Sequence, residues 1–433
     1  MRTFVSTAAI LLTAVCPVLG QGSLTPPGPP APTMKTLDQV EARIPIDAAH
    51  TPGDADSSFR ISQSGSYYLT GNLTGQSGKN GIFIAASDVT IDLNGFTLSG
   101  VSGAHSGITT TTLGVGLPEN FTVVNGTVTG WPQSGVFLGD KSRVERVIAR
   151  ANGSNGIALG NVALVVDCIV TNNGQSGIQI GSGSVVRSCT AEYNVNIGIS
   201  VGSQSTVSHC AASGNTTWGI RVSPDSVVQS CTASANTSTG IAGNERVTIL
   251  DCTTTANGAF GIVAFNSSLI QRCNASLNRG DAGIHVEQRS QVLDCIADEN
   301  GAGAAGDGIE GDIRTVVKRC SATENRADGI SVAGESIIVE NRTSHNGRGT
   351  TAAGIRTTNP TGTGSGSRIE SNQSRDNTGI GIVASPADFV MRNSAGNNSG
   401  GNYRDATGAP LAGANIGPIG SASTATNPFA NLQ

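Results

Sequence analysis

Charge and aromatic rings are scarce in this chain. Only 13% of its 433 residues are Asp, Glu, Lys or Arg, only 4% are Phe, Trp or Tyr, and there are five histidines. The net charge is −5 and no basic stripe occurs, so nucleic-acid binding finds no support. Beyond the N-terminus no apolar run approaches the ~20 residues of a membrane-spanning helix. Leucine is too sparse for leucine-rich repeats. No Cys-x-x-Cys pair or histidine cluster points to a zinc site.

What is abundant is glycine, 58 residues, together with Ser, Thr, Asn and Val. β-Branched residues suit strands, and Gly and Asn suit left-handed turn positions, so the mixture fits many short strands joined by tight turns. Regularly spaced aliphatic residues separate it from a disordered chain.

The N-terminus has an export layout. Arg2 supplies a basic start, Phe4 to Val15 an apolar run, and Val18-Leu19-Gly20 a cleavage-like end, so residues 1–20 read as a signal peptide. Lipid attachment at Cys16 is the alternative reading. Residues 21–35 form a proline-rich linker, which favours extended polyproline II. In residues 36–64, read as an N-terminal cap, Thr36 to Arg43 resembles a short helix, with Thr36 capping and Gln39 three residues on; Pro45 ends it. Strand-like alternation begins near Gly65 and is clear in Val89-Thr90-Ile91-Asp92-Leu93.

A repeat dominates residues 65–400, leaving 401–433 as a tail or cap. Cysteines fall at 168, 189, 210, 231, 252, 273, 295 and 320, five of the seven intervals being 21 residues. Five residues after each stands an asparagine, from Asn173 to Asn325. The asparagine series extends to Asn152, Asn346, Asn377 and Asn398, making twelve in register. Val or Ile stands three residues before each cysteine position, and a Gly-Ile pair such as Gly177-Ile178 usually begins nine residues after it. Twenty-one residues are too few for the helix pairs of the common α-solenoids. The period instead predicts an all-β solenoid, a right-handed parallel β-helix. Identical positions should then stack about 4.8 Å apart along its axis. The aliphatic position is expected inside. The asparagine is expected in a left-handed turn, its amide bonded to those above and below, and the glycine at a sharp corner. For the cysteines two readings stand: disulfides, or a stack of reduced thiols acting as small hydrophobes. Equal spacing favours the stack.

These features resemble the pectate-lyase-type right-handed β-helix superfamily with its internal asparagine ladder. Residues 34–41 (MKTLDQVE), 61–70 (ISQSGSYYLT), 89–96 (VTIDLNGF), 417–419 (GPI) and 427–431 (NPFAN) are similar, more narrowly, to secreted β-helix proteins of planctomycete and verrucomicrobial type. Phe429 stands where Trp is expected. The resemblance covers nearly the whole chain and implies the fold. The wider superfamily includes lyases, hydrolases, epimerases, binding proteins and adhesins, so the resemblance alone selects none of these.

No Asp-Asp pair and no Gly-His-Gly occurs, so the polygalacturonase pattern is missing. Aligning Gly283-Ile284, Gly308-Ile309 and Gly329-Ile330 places His285 on Glu310, Glu287 on Asp312 and Asp307 under Asp328, with Arg279, Asp281 and Arg314 close in sequence. The Asn-to-Gly interval lengthens from four residues to eight in 300–308 and 346–354, putting two loop insertions beside this group. One reading is a solvated polar face. The other is a Ca²⁺ or sugar-carboxylate site of Glu287, Asp307, Glu310, Asp312 and Asp328, with His285 or Arg314 as base. Trp131, Trp218 and Tyr193 are candidates for packing or for sugar stacking.

The sequence therefore leads to two expectations. The first is a secreted or surface β-helix, a monomer, that binds extended polysaccharide or acts structurally. The second is a polysaccharide lyase or related carbohydrate-active enzyme, with Ca²⁺ as its candidate cofactor. An adhesin is a third and weaker fit, because no C-terminal barrel pattern follows the repeats.

Overall fold

A computed structural model describes residues 42–110, 117–303, 306–348, 352–358, 366–405, 407–411, 419–420 and 430–432. The signal peptide, the proline-rich linker and residues 36–41 of the expected helix lie outside the described residues. Ala42 and Arg43 are not helical, and the first strand is Ile44–Pro45.

The described residues from Arg43 onward form the expected solenoid. Among the described residues, sixteen parallel strands, from Ser57–Ile61 to Tyr403–Asp405, make one sheet, and thirty-one strands make the other. The second sheet bends at the cysteine position, so each regular coil has three short strands and three corners. Registers repeat without slip: Ile157 pairs with Ile178, Ile178 with Ile199, and so on to Ile355 with Ile382. A fully buried aliphatic side chain at the same place in each coil fixes this register, because a one-residue slip would turn it to solvent. The Val/Ile column Val165, Val186, Val207, Val228 and Ile249 is completely inaccessible.

The corners follow one rule. With few exceptions, such as Val147, Ala163 and Val247, a residue in the left-handed region is followed by a buried polar side chain that bonds a neighbouring coil. At the first corner Asn172, Tyr193, Ala235 and Leu277 have φ between 54° and 57° or close to it (Ala235, 52°), and each precedes a ladder asparagine. The expected place of the left-handed residue is thus corrected by one position. The ladder asparagine itself is wholly buried, and its neighbour takes the strained turn. Asn173 Nδ2 donates to Asn194 Oδ1 (3.0 Å) and to the carbonyl of Ala149 (3.1 Å), while Asn194 Oδ1 also accepts the Asn173 backbone N–H (3.1 Å). Both amide hydrogens and the acceptor oxygen are used, which removes the cost of burying the group.

The second corner carries the cysteines. All eight are buried and unpaired, as the stacked-thiol reading expected. They also do more than fill space. The backbone N–H of Cys189 points at Cys210 Sγ (3.5 Å), and where cysteine gives out, Cys320 N–H donates to Asn341 Oδ1 (2.8 Å). Asn341, Asn372, Asn393 and Asn431 then continue as a second amide ladder. A third corner, not anticipated, uses serine: Ser184 N–H donates to Ser205 Oγ and Ser205 N–H to Ser226 Oγ, both at 3.1 Å.

The glycine of each Gly-Ile pair is needed for close approach rather than for an unusual φ. A Cβ on Gly177 would lie 2.7 Å from the Gly198 carbonyl and 2.8 Å from Asn194 Nδ2. Trp131, entirely buried, stands under the first ladder asparagine; its N–H donates to Asn152 Oδ1 (3.1 Å) and its ring Nε1 to the carbonyl of Leu98 (3.2 Å). Both ends of the sixteen-stranded sheet are met by an antiparallel bridge, Pro52 to Phe59 and Pro410 to Arg404. Proline has no N–H to offer a further strand, so these bridges blunt the edges.

Two outcomes follow. Replacing Asn236 by Ala in mid-ladder should lower unfolding stability by roughly 2–4 kcal/mol, because neighbouring buried groups lose partners; chemical denaturation measures it. In a Cys16→Ser background the eight ladder thiols should resist a thiol reagent in buffer and all react in denaturant, since reaction needs an accessible thiolate.

Candidate functional site

Residues of the sixteen-stranded sheet and its asparagine corner form columns, one facing solvent and one in which partly exposed and buried side chains alternate. The middle residue of each strand gives one column: Ser200, Arg221, Ala242, Val263, His285, Glu310, Ser331 and Arg356. The residue before each Gly gives a second, at the asparagine corner: Trp218, Thr239, Phe260, Ala282, Asp307 and Asp328. Side chains of the two columns meet. The Arg221 guanidinium lies 5.0 Å from the Trp218 ring centroid, and the Phe260 and His285 rings are 5.4 Å apart. Trp218 and Phe260 are half-buried and Phe265, two residues after Val263, is exposed.

The expected stacking is present. His285 pairs with Glu310 in register, and His285 Nδ1 lies 2.9 Å from Glu310 Oε2. Burial alone would depress the imidazole pKa. The hydrogen bond to Glu310 and the charges of Glu310, Asp312 and Glu287 outweigh it, so the value is raised. Glu287 and Asp312 follow these strands at equivalent places, their N–H groups donating to the carbonyls of Ala264 and Val286.

Asp307 and Asp328 make a second pair. Asp307 Oδ1 accepts the Asp328 N–H (2.8 Å). The Asp328 carboxylate is held by Arg356, whose Nε is 2.5 Å from Oδ2 and whose Nη2 is 3.2 Å from Oδ1, and it accepts the Ala353 N–H beside the second insertion. Asp307 faces the Asp328 charge with no arginine on its own carboxyl among the described residues. Burial and that charge push its pKa up to about 8, against the smaller pull of the hydrogen bond and of Arg356.

Other candidates are placed elsewhere. Arg314 sits at the serine corner with φ 63° and its Nε bonds Glu335 (2.7 Å), so it is not brought to His285. Asp281 is exposed and supplies only its carbonyl, to the Asp307 N–H (2.8 Å). Arg279 lines a shallow groove at the asparagine corner with Thr237, Ala256, Gly280 and Gly303. Among the described residues no group of three or more His, Cys, Asp and Glu could hold a metal ion, so Glu287, Asp307, Glu310, Asp312 and Asp328 are not gathered around one point. Of the two roles expected for the aromatics, Trp131 takes packing, wholly inside the core, and Tyr193 stands exposed on a turn. Arg356, Arg221, Phe260 and Phe265 were not singled out from the sequence. Writing every coil beneath its Gly-Ile pair puts all four on the same face.

The shifted groups set a pH dependence. A carboxyl whose folded pKa lies above the unfolded 3.8 favours folding only while protonated, so stability falls as pH rises from about 4 to about 8 and is level beyond. His285, also raised, contributes stability below 6.5 that is lost as pH passes its folded value. Both act in one direction. The melting temperature should therefore fall between about pH 5 and pH 9, and Asp307→Asn should flatten that fall while raising the melting temperature at pH 9.

The sequence matches the family described as right handed beta helix region over residues 106–244 and 219–335. No curated relative matches it. Similar solved structures include the A-module of the Azotobacter vinelandii mannuronan C-5 epimerase AlgE4, 14% identical over 86% of this chain and 91% of that one, with a TM-score of 0.46. The Dettilon tailspike protein is 15% identical over 72% and 62%, with a TM-score of 0.42. The periplasmic alginate epimerase AlgG is 10% identical over 77% and 78%, with a TM-score of 0.35. With more than half its length matched, and with the coils and ladders described above, this chain belongs to the right-handed β-helix family.

Proposed function

We propose that the outer face of the sixteen-stranded sheet from Trp218 to Arg356 binds an extended polysaccharide. The observation that carries this reading is the alignment of half-buried aromatic rings, Trp218 and Phe260, in one column, each against a nitrogen-bearing neighbour, Arg221 or His285. A sugar offers an apolar C–H face and a rim of hydroxyls. An aromatic ring beside hydrogen-bonding groups suits both. A flat face repeating at every coil suits a polymer better than a single small molecule, which favours a concave pocket. No helix among the described residues is long and apolar enough to cross a membrane. The export layout of residues 1–20 supports a protein that acts outside the cytoplasm, and the blunted ends of the sixteen-stranded sheet support a monomer.

A second reading is supported by the carboxyl groups. Asp307, with a pKa near 8, can give or take a proton at neutral pH next to the Asp328–Arg356 pair, and Glu310 orients His285 a strand away. Such a set fits cleavage or rearrangement of a bound glycan.

A binding panel of soluble and insoluble polysaccharides, run with the full chain, separates the readings. At least one glycan should bind, and Trp218→Ala should weaken it about tenfold, close to 1.4 kcal/mol. Binding that ignores Trp218→Ala would remove this face from the account. Product formation that disappears in Asp307→Asn with binding intact would establish the second reading over simple binding.

A further inference from the structure

The spacing of the two platforms restricts the chain that fits them. Trp218 and Phe260 precede the strands that begin at Ile220 and Ile262, and Ile220 pairs with Ile241, which pairs with Ile262. The residues that carry the rings are therefore two coils apart, about 9.6 Å along the axis at ~4.8 Å per coil. Thr239 holds the same place in the coil between and is buried, so nothing large stands between the platforms.

A pyranose linked equatorially at both C1 and C4 advances its chain by about the rise of one coil, ~5 Å. In the flat, two-fold form of such a chain each sugar is turned half a revolution from the last. The same ring face therefore returns at every second sugar, two coils on. Axially linked chains bend, and three-fold chains bring the same face back only at the third sugar. Neither matches a two-coil interval.

Charge narrows the choice further. Between Ser200 and Phe265 the outward residues Ser200, Arg221, Ser223, Ala242, Asn244 and Val263 include one charge, Arg221. The next strands carry His285, Glu287, Glu310 and Asp312. A polyanion lying along this face would run into that carboxylate group.

We infer that the chain bound here is an uncharged, (1→4)-β-linked polysaccharide lying along the solenoid axis, with alternate sugars on Trp218 and Phe260. This rests on the binding reading above and names its substrate class. Glucan, mannan and N-acetylglucosamine chains share the required chemistry. Arg221, held on the Trp218 ring, donates to hydroxyl or ring oxygens of the sugar at that platform.

The test is calorimetric titration of the full chain with cello-, manno- and chito-oligosaccharides, against maltohexaose and hexagalacturonate. One β-linked series should bind, with affinity rising steeply from disaccharide to trisaccharide, the shortest length that reaches both rings, and little thereafter. Moving the second platform by one coil, Phe260→Thr with Thr239→Phe, should lower trisaccharide affinity at least tenfold, to the level of Phe260→Ala. Circular dichroism and melting establish that the double variant is folded, and Phe260→Ala alone serves if it is not. Wild-type affinity in the moved-platform variant, or in Phe260→Ala, would overturn the inference. So would a preference for the α-linked or charged oligomer that is still lost in Trp218→Ala, and in that case the polysaccharide reading survives. Failure of every oligosaccharide and every polysaccharide to bind would overturn both.

Discussion

The buried hydrogen bond from one coil's corner to the next is what the rest of this molecule depends on. A solenoid has no single large core, and each coil on its own cannot bury its apolar face. Here the coil also has to turn three times in about twenty-one residues, which leaves peptide groups at the corners without strand partners. Each corner solves this in the same way. One residue adopts a left-handed conformation at some cost, and the next turns a polar side chain inward to bond the coil above. Asparagine can use two donors and an acceptor in line with the axis. Serine offers one acceptor and one donor, and a thiol offers a weaker acceptor at 3.5 Å. The corners thus differ in strength, and the cysteine corner ends in asparagine, where Cys320 gives way to Asn341.

Because the corners and the inward aliphatic columns carry the register, the outward columns are free to vary. The contrast between two outward regions shows how that freedom is used. Along the cysteine corner charges are matched coil by coil: Arg272 lies 2.6 Å from Asp251 and Arg319 lies 2.6 Å from Asp294, all largely exposed. Such solvent-screened pairs add little to stability and mainly prevent like charges from stacking. On the sixteen-stranded sheet the matching lapses. Asp307 stands beside Asp328 with one arginine between the two, and Glu287 and Asp312 follow each other in equivalent places. Charge on this stretch of the solenoid is thus less evenly matched than along the cysteine corner.

Much of this could be read from the sequence because the solenoid converts spacing into position. Cysteines 21 residues apart gave the coil length, and Gly283, Gly308 and Gly329 were enough to place His285 on Glu310. What escaped was whatever depends on neighbouring backbone rather than on period. Any of Tyr193, Ala235, Leu277 or Glu299 can occupy the left-handed site, so composition did not mark it. The serine corner was hidden because Ala163 and Val247 interrupt it and serine is common elsewhere. Trp131 reads as an isolated aromatic in a loop, and only the packing shows Gly75, Gly81 and Gly107 drawn back to admit its ring. Arg356 was missed because its partner, Asp328, lies one coil away in the other column and across an insertion.

The platform geometry joins these points. A ring can act as one of a pair only if the interval between the pair is fixed, and an interval of about 10 Å on a loop-borne site would drift by more than a sugar tolerates. Here the interval is set by two coil rises, each locked by a buried asparagine ladder bond and by the pairing of Ile220, Ile241 and Ile262. Loss of one ladder asparagine beneath the face, such as Asn236, would therefore loosen the spacing of Trp218 and Phe260 without touching either ring. The stability of the corners and the selectivity of the face would then decline together, whereas a side-chain change confined to the face would alter selectivity alone.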